Sequence, residues 1–207
     1  MTYKSEQEQF WGGRFGDEYT SRNRGQRWVA SNTALFARVL RNTINVSSVL
    51  ELGANIGMNL LALKRLLPQA ELSAVELNSM AARELRENIP SAEVYEQSIL
   101  DFESDRTWDL VLTKLVLIHI DPGNLPSVYK LLHRASSRYI VVAEYYEPNP
   151  TAIEYRGHMG KLFKRDFVGD MLDLYDDLRL LDYGFIYHRD NNFPQDDMTW
   201  FLLGKGI

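Results

Sequence analysis

The sequence predicts a doubly wound α/β domain: a mostly parallel sheet with helices on both faces, an antiparallel hairpin at the C-terminal end and a helical cap at the N-terminal end. Three observations carry this. Short apolar runs alternate with helix-patterned stretches between residues 46 and 145, and such alternation builds parallel sheets because each crossover needs a helix. The first run ends in a glycine-rich loop, Gly53-Ala54-Asn55-Ile56-Gly57. The last two runs are joined by a polar, turn-rich stretch with no helix, the pattern of an antiparallel pair.

The elements follow in order. The first 45 residues are polar and aromatic, and Ser31 to Leu40 sets Leu35, Phe36, Val39 and Leu40 on one helical face. Residues 1–45 are therefore assigned to a helical cap or lid, and 46–207 to the core, of a single domain 1–207. Strands are expected at Val46 to Leu52, Glu71 to Leu77, Ala92 to Glu96, Trp108 to Thr113 and Arg138 to Tyr145. Between them lie a helix from Asn59 to Leu67 closed by Pro68, a helix of about ten residues capped by Asn78 and ended near Pro90, and a helix from Leu125 to Ala135 after the Asp121-Pro122-Gly123 turn. Leu180 to His188 and Thr199 to Leu203 form the terminal pair.

Composition narrows the function classes. A chain of 207 residues with 45% hydrophobic and 25% charged residues suits one globular core. A net charge of -5, with no dense run of Lys and Arg, argues against a nucleic-acid partner. With no cysteine, disulfides, a thiolate nucleophile and a Cys-ligated zinc are excluded. The polar start and the lack of an apolar run of roughly 20 residues predict a soluble, cytoplasmic protein with no membrane partner. His188 and Asp190 do not match a metal-ligand spacing, so no metal is expected.

The strongest chemical signal is Glu51-Leu52-Gly53-Ala54-Asn55-Ile56-Gly57. Glycine at the carboxyl end of a strand lets the chain turn tightly and lets a ligand approach the backbone, and in open α/β sheets ligands bind there. The segment resembles the E/D-x-G-x-G-x-G loop of methyltransferases, with Asn55 in place of the middle glycine; Asn tolerates left-handed backbone better than most residues. It does not fit the dinucleotide pattern G-x-G-x-x-G. Glu76, followed by Leu77, ends the second strand, where a carboxylate can accept both hydroxyls of a ribose. By the same resemblance Ser98, Ile99 and Leu100 would flank an adenine. Lys114, Tyr19 and Arg22 complete the expected cofactor set, Arg22 as a partner for a cofactor carboxylate.

Transfer of a methyl group from a sulfonium needs positioning and dryness, plus a general base when the acceptor is a hydroxyl. His119 in Lys114-Leu115-Val116-Leu117-Ile118-His119 is the first candidate base; the alternative is a structural histidine bonded to a backbone carbonyl. Glu144, Tyr145 and Tyr146 end the fifth strand on the same sheet edge as the loop, Glu144 and Tyr145 as further catalytic candidates and Tyr146 as an acceptor contact. The alternative there is an ordinary strand end. Arg156, His158, Lys161, Lys164 and Arg165 form a basic segment that suits an anionic acceptor, or else a solvated helix face. His188, Arg189, Asn191 and Asn192 are a further acceptor-binding candidate or a plain turn. Phe10-Trp11-Gly12-Gly13-Arg14-Phe15-Gly16 reads as a mobile lid or an aromatic staple.

Six stretches, FWGGRFGDEYTSRN, VLELGANIGMNLLALKRLLP, DLVLTKLVLIHI, YIVVAEYYEPNP, YRGHMGKLFKRDF and YGFIYHRDNNFPQDDMTWFLL, resemble the methylases associated with pseudaminic acid biosynthesis. YRGH and YHRDNNFPQDD make the resemblance more than a fold likeness. It implies a Rossmann-like class I methyltransferase with a seven-stranded sheet, S-adenosyl-L-methionine as cofactor with S-adenosyl-L-homocysteine as product, and an acidic, nonulosonic sugar or its nucleotide-linked intermediate as acceptor at O or N. A homodimer is compatible with it. The competing readings are a methyltransferase for another small metabolite and a non-catalytic S-adenosylmethionine-binding partner of a pathway enzyme.

Overall fold

The structure is a computed structural model and describes residues 3–22 and 24–206. Three helices open the chain: α1 (Glu6–Gly12), α2 (Arg14–Arg22) and α3 (Gln26–Leu40). Ser5 caps α1 by accepting the Glu8 N–H. The core then runs β1 (Ser48–Leu52), α4 (Met58–Leu66), β2 (Glu71–Glu76), α5 (Ser79–Asn88), β3 (Glu93–Glu96), β4 (Trp108–Lys114), a 3-10 turn (Leu117–His119), α6 (Leu125–Ala135) and β5 (Ser136–Glu144). Next come β6 (Thr151–Tyr155), β7 (His158–Lys164), α7 (Phe167–Leu174), β8 (Leu178–Ile186) and β9 (Met198–Lys205).

Seven strands form one sheet in the order β3-β2-β1-β4-β5-β9-β8. The first five are mutually parallel, and β9 runs antiparallel to both β5 and β8. This is the doubly wound sheet with a terminal hairpin that the sequence predicts. Both faces are covered, so the central strands are buried almost without alternation. Val49, Leu110, Leu112 and Val141 face α3, α4 and α5; Leu50, Leu52, Val111 and Val142 face α6 and α7. The chain order reverses between β1 and β4, and a crevice at the carboxyl ends of strands opens at such a switch point.

Three features differ from the sequence expectation. The basic segment 156–165 is no helix face. β6 and β7 pair as a separate hairpin through Arg156-Gly157, whose φ of +52 and +84 suit a tight two-residue turn. The terminal pair begins and ends about two residues early at β8, because the His188 N–H and ring are tied to Asp197 rather than to the ladder. β1 starts at Ser48 rather than Val46. The aromatic N-terminal segment forms two short helices. Phe10 stacks on Phe15 at 4.0 Å and packs edge-on against Trp11 at 5.6 Å. Among the described residues, no helix is long and apolar enough to cross a membrane.

Candidate functional site

The loop after β1 takes the conformation its residues suit. Gly53 and Gly57 sit at φ +74 and +81, and Asn55 at +47, the left-handed region that Asn can enter. A Cβ on Gly53 would stand 2.6 Å from Val116 Cγ2. The Asn55 N–H donates to Glu76 Oε2 at 2.6 Å, and the Asn78 N–H donates to Oε1 at 2.7 Å. Glu76 is thus fixed by main-chain donors on both oxygens, the Leu77 N–H adding to them, at the edge of the cavity it lines. Burial pushes its pKa above the usual carboxylate range against the pull of these donors.

A cavity of about 220 Å³ opens over this loop, under α1 and α2. Gly53, Ala54, Asn55, Glu76, Leu77, Ser98, Ile99, Leu100, Lys114 and Tyr19 all line it, with His119. At one end the Leu100 N–H donates to Ser98 Oγ at 2.9 Å, and Ser98 donates to the Glu8 carboxylate of α1. At the other end Glu51 lies buried beneath the loop. Its Oε1 accepts from Asn59 Nδ2 at 2.6 Å, while Oε2 has no partner among the described residues. Asn59 Oδ1 and Asn32 Oδ1 are likewise buried acceptors without a partner, and both residues line the cavity. Burial pushes Glu51 up to about 8 and pulls Lys114 below its ordinary value, each opposed by the other's charge.

These polar ends have a chemical consequence. A carboxylate lining the cavity, fixed from behind by the main chain, suits a vicinal diol. Two unpaired acceptors lining the cavity, Asn59 Oδ1 and Asn32 Oδ1, beside Lys114 suit a zwitterionic amino-acid end, whose ammonium would satisfy the acceptors and whose carboxylate would meet Lys114. The residues present therefore fit S-adenosylmethionine, a nucleoside joined to an amino acid.

His119 lies in the 3-10 turn after β4 and is buried. Its Nδ1 donates to the Lys161 carbonyl of β7 at 2.7 Å, so the neutral ring carries a lone pair on Nε2. Burial pulls its pKa down to about 4. The rings of Trp11 and Tyr155 stand 4.5 and 5.0 Å away.

Other candidates are placed elsewhere. Glu144 does not line the cavity. Its carboxylate accepts the N–H groups of Val116, Leu117 and Ile118 at 3.0, 3.0 and 3.4 Å, anchoring the turn that carries His119. The Tyr145 hydroxyl donates to Asp196 Oδ2 at 3.1 Å, and Asp196 lines the cavity. Tyr146 is exposed beside Phe201. Glu51 and Gly57 support the loop from below and from the start of α4. Arg22 lies over Phe15, 5.8 Å from its ring centre, outside the cavity. Arg156 covers Tyr155, His158 abuts Phe10, and Lys164 lies over the Tyr145 ring. His188 is paired with Asp197 at 2.8 Å, and Arg189, Asn191 and Asn192 are exposed; none of these lines the cavity.

Sequence reasoning missed Glu8, Asn32, Asn59 and Asp196, all of which line the cavity, and named Trp11 only as part of a lid or staple segment. Asn59 alone had a local signal: it lies two turns of chain beyond Glu51, just inside the helix after the loop. Among the described residues, no group of three or more His, Asp or Glu side chains is placed to hold a metal.

The sheet order, the terminal hairpin and the cavity at the β1–β4 switch point define the class I methyltransferase fold. The chain superposes on the magnesium protoporphyrin IX methyltransferase of Synechocystis with bound S-adenosylhomocysteine, at TM-score 0.71 and 10% identity over 96% of this chain and 97% of that one. It superposes on DesVI of Streptomyces venezuelae at TM-score 0.65 and 13% identity, over 94% and 99% of the two chains. The plantazolicin methyltransferase BpumL in complex with S-adenosylhomocysteine gives TM-score 0.67 at 13% identity, over 97% and 94%. In sequence, a tRNA1(Val) (adenine(37)-N6)-methyltransferase of Pseudoalteromonas translucida is 34% identical over 76 residues, which span 34% of this chain and only 33% of that relative. No family model matches the chain.

Proposed function

We propose that the chain is an S-adenosylmethionine-dependent methyltransferase acting on a small molecule, with a nonulosonic sugar or sugar-nucleotide intermediate as acceptor. The observation that carries the cofactor is Glu76, held at the cavity by the Asn55 and Asn78 N–H groups, together with the unpaired acceptors of Asn59 and Asn32 that line the same cavity. Bound there, the cofactor supplies a methyl group already activated on a sulfonium. The chain's own part is to orient it and to keep water out, with α1 and α2 closing over the loop. The small-molecule acceptor is supported by the size of the cavity, about 220 Å³, and by the porphyrin and plantazolicin methyltransferases among the structural neighbours. The sugar is supported by the resemblance of the YRGH and YHRDNNFPQDD stretches.

Calorimetry with S-adenosylmethionine, S-adenosylhomocysteine and NADH tests the cofactor. The wild type is expected to bind the first two and not the third, and Glu76→Ala to weaken both by at least about tenfold, the scale of a lost charge-assisted hydrogen-bond pair. Binding of NADH alone, or equal affinity in Glu76→Ala, overturns the reading.

A further inference from the structure

We propose that the atom receiving the methyl group is an amine nitrogen, held in a box formed by Trp11, Tyr19 and His119 with the Asp196 carboxylate at its mouth. The inference rests on the methyltransferase reading above and adds the reacting atom to it.

Three independent features converge. The first is the wall. Trp11, Tyr19 and His119 line the cavity, with the Trp11 ring 5.2 Å from Tyr19 and 4.5 Å from His119. Tyr155 closes the outside, 5.0 Å from His119 and 6.2 Å from Trp11. Aromatic faces attract cations and shed water, which is how ammonium groups are commonly held.

The second is charge. The acidic side chains lining the cavity are Glu8, Glu76, Asp121 and Asp196 against the single basic Lys114, with no arginine among the described residues that line it. Glu8 is committed to Ser98, Glu76 to the loop, and Asp121 to the Gly123 N–H. Lys114 is buried and shared, facing Glu51 first and then Asp196 and Glu144. Asp196 remains, bonded through one oxygen to the Tyr145 hydroxyl and exposed at the rim. Asp196 acts on Tyr19 more strongly than the guanidinium groups of Arg156 and Arg22, which reach it from outside the lining, so an ammonium held here meets a counter-charge at Asp196. The basic side chains that suggested an anionic acceptor lie on the outer hairpin.

The third is donor and acceptor count. Asp196 and His119 Nε2 are acceptors. A neutral primary amine gives each an N–H and keeps its lone pair for attack; a hydroxyl has one proton to give. A hydroxyl also needs a base matched to its high pKa, and the buried His119 is a poor match. Trp11 Nε1, a buried donor without a partner among the described residues, is left for a ring or hydroxyl oxygen of the acceptor. The reaction then balances simply. The ammonium gives a proton to water through Asp196, the nitrogen lone pair forms the N–C bond as the C–S bond breaks, and sulfur keeps the bonding pair. The methylammonium product can release a second proton by the same route.

The test pairs amino hexoses, free and nucleotide-linked, with the same sugars bearing a hydroxyl at that carbon. Labelled methyl transfer is measured beside calorimetric S-adenosylmethionine binding. Transfer is expected to amines at least about tenfold faster than to their hydroxyl partners, with kcat/KM rising as the acceptor's ammonium loses its proton. Asp196→Asn, a rim substitution that leaves the fold intact, is expected to raise KM for the amine about tenfold with cofactor affinity unchanged. Methyl on oxygen, equal rates for both partners, an unchanged KM in Asp196→Asn, or intact cofactor binding with no amine methylated overturns the inference alone. Failure of the wild type to bind S-adenosylmethionine instead overturns the methyltransferase reading beneath it.

Discussion

Below the cavity, β1, β2 and β4 share one parallel ladder, and the loop over them is pinned by main-chain donors: Asn55 and Asn78 to Glu76, and Val116 to Ile118 to Glu144. Above it, α1, α2 and the β6–β7 hairpin meet the core through side chains. Gln7 Nε2 donates to the Gly160 carbonyl at 3.1 Å, Lys161 pairs with Glu6 at 3.3 Å, Thr20 donates to Asn55 Oδ1 at 3.3 Å, and rings fill the rest. A floor bound by buried carboxylate–backbone bonds is part of the cooperative fold. A roof tied by a few side-chain polar contacts, part-buried at most in the Gln7 and Thr20 bonds, can open without unfolding what lies beneath. Perturbing the floor should therefore change stability, and perturbing the roof should change ligand traffic.

The largest effect is expected at Glu144. Glu144→Ala strands three N–H groups at a buried site, each worth about 1 kcal/mol or more when unsatisfied, so a loss of about 3 kcal/mol is expected in urea unfolding, with Glu144→Gln recovering part of it. If Glu144→Ala keeps wild-type stability and loses turnover alone, the carboxylate belongs to the chemistry and the division into floor and roof is misplaced.

That residue also shows where sequence reading stops. A carboxylate at the carboxyl end of β5 has the right strand and edge for catalysis, and sequence cannot tell that it turns sideways to hold the backbone after β4. The loop after β1 was legible because its determinants are local: glycines at forced φ, then Glu76 at the end of the next strand. The roof was not, because Trp11, His119, Lys161 and Asp196 meet only through tertiary packing. The β6–β7 hairpin was hidden by its own composition. Its exposed basic residues read as a solvated helix, and only the positive φ of Arg156 and Gly157 reveals the turn.

A smaller effect should distinguish the floor by pH. Glu51 titrates near 8 in the fold, above its ordinary carboxylate value, so the folded protein binds its proton more tightly than the unfolded chain. That contribution is complete below about pH 4.5, the unfolded value, and is lost as pH rises through about 8. Apoprotein stability should accordingly fall between pH 5 and 8.5. Glu144, pushed up to about 7 by burial, adds to the fall in the same window, so the wild type must be compared with Glu51→Gln, in which the slope should be visibly shallower. Parallel slopes would mean that Glu51 stays ionised beside Lys114 and that the deep end is a closed ion pair, not a set of acceptors awaiting a ligand.

The smallest expected change in stability tests the roof. Gln7→Ala removes the bond from α1 to the Gly160 carbonyl, where Gly160 itself sits at φ +67 in the hairpin. One partly buried neutral hydrogen bond is worth about 1 kcal/mol, and here it ties a roof element to another roof element. Global unfolding should therefore shift by no more than that, while S-adenosylmethionine dissociation, followed by stopped-flow tryptophan fluorescence, should quicken severalfold as α1, with its Glu8, lifts more often from Ser98. An unfolding shift as large as that of Glu144→Ala would show that α1 and the hairpin belong to the same cooperative unit as the sheet. An unchanged dissociation rate would show that the ligand leaves by another path, and that the polar ties of the roof serve only to seat its aromatic rings around His119.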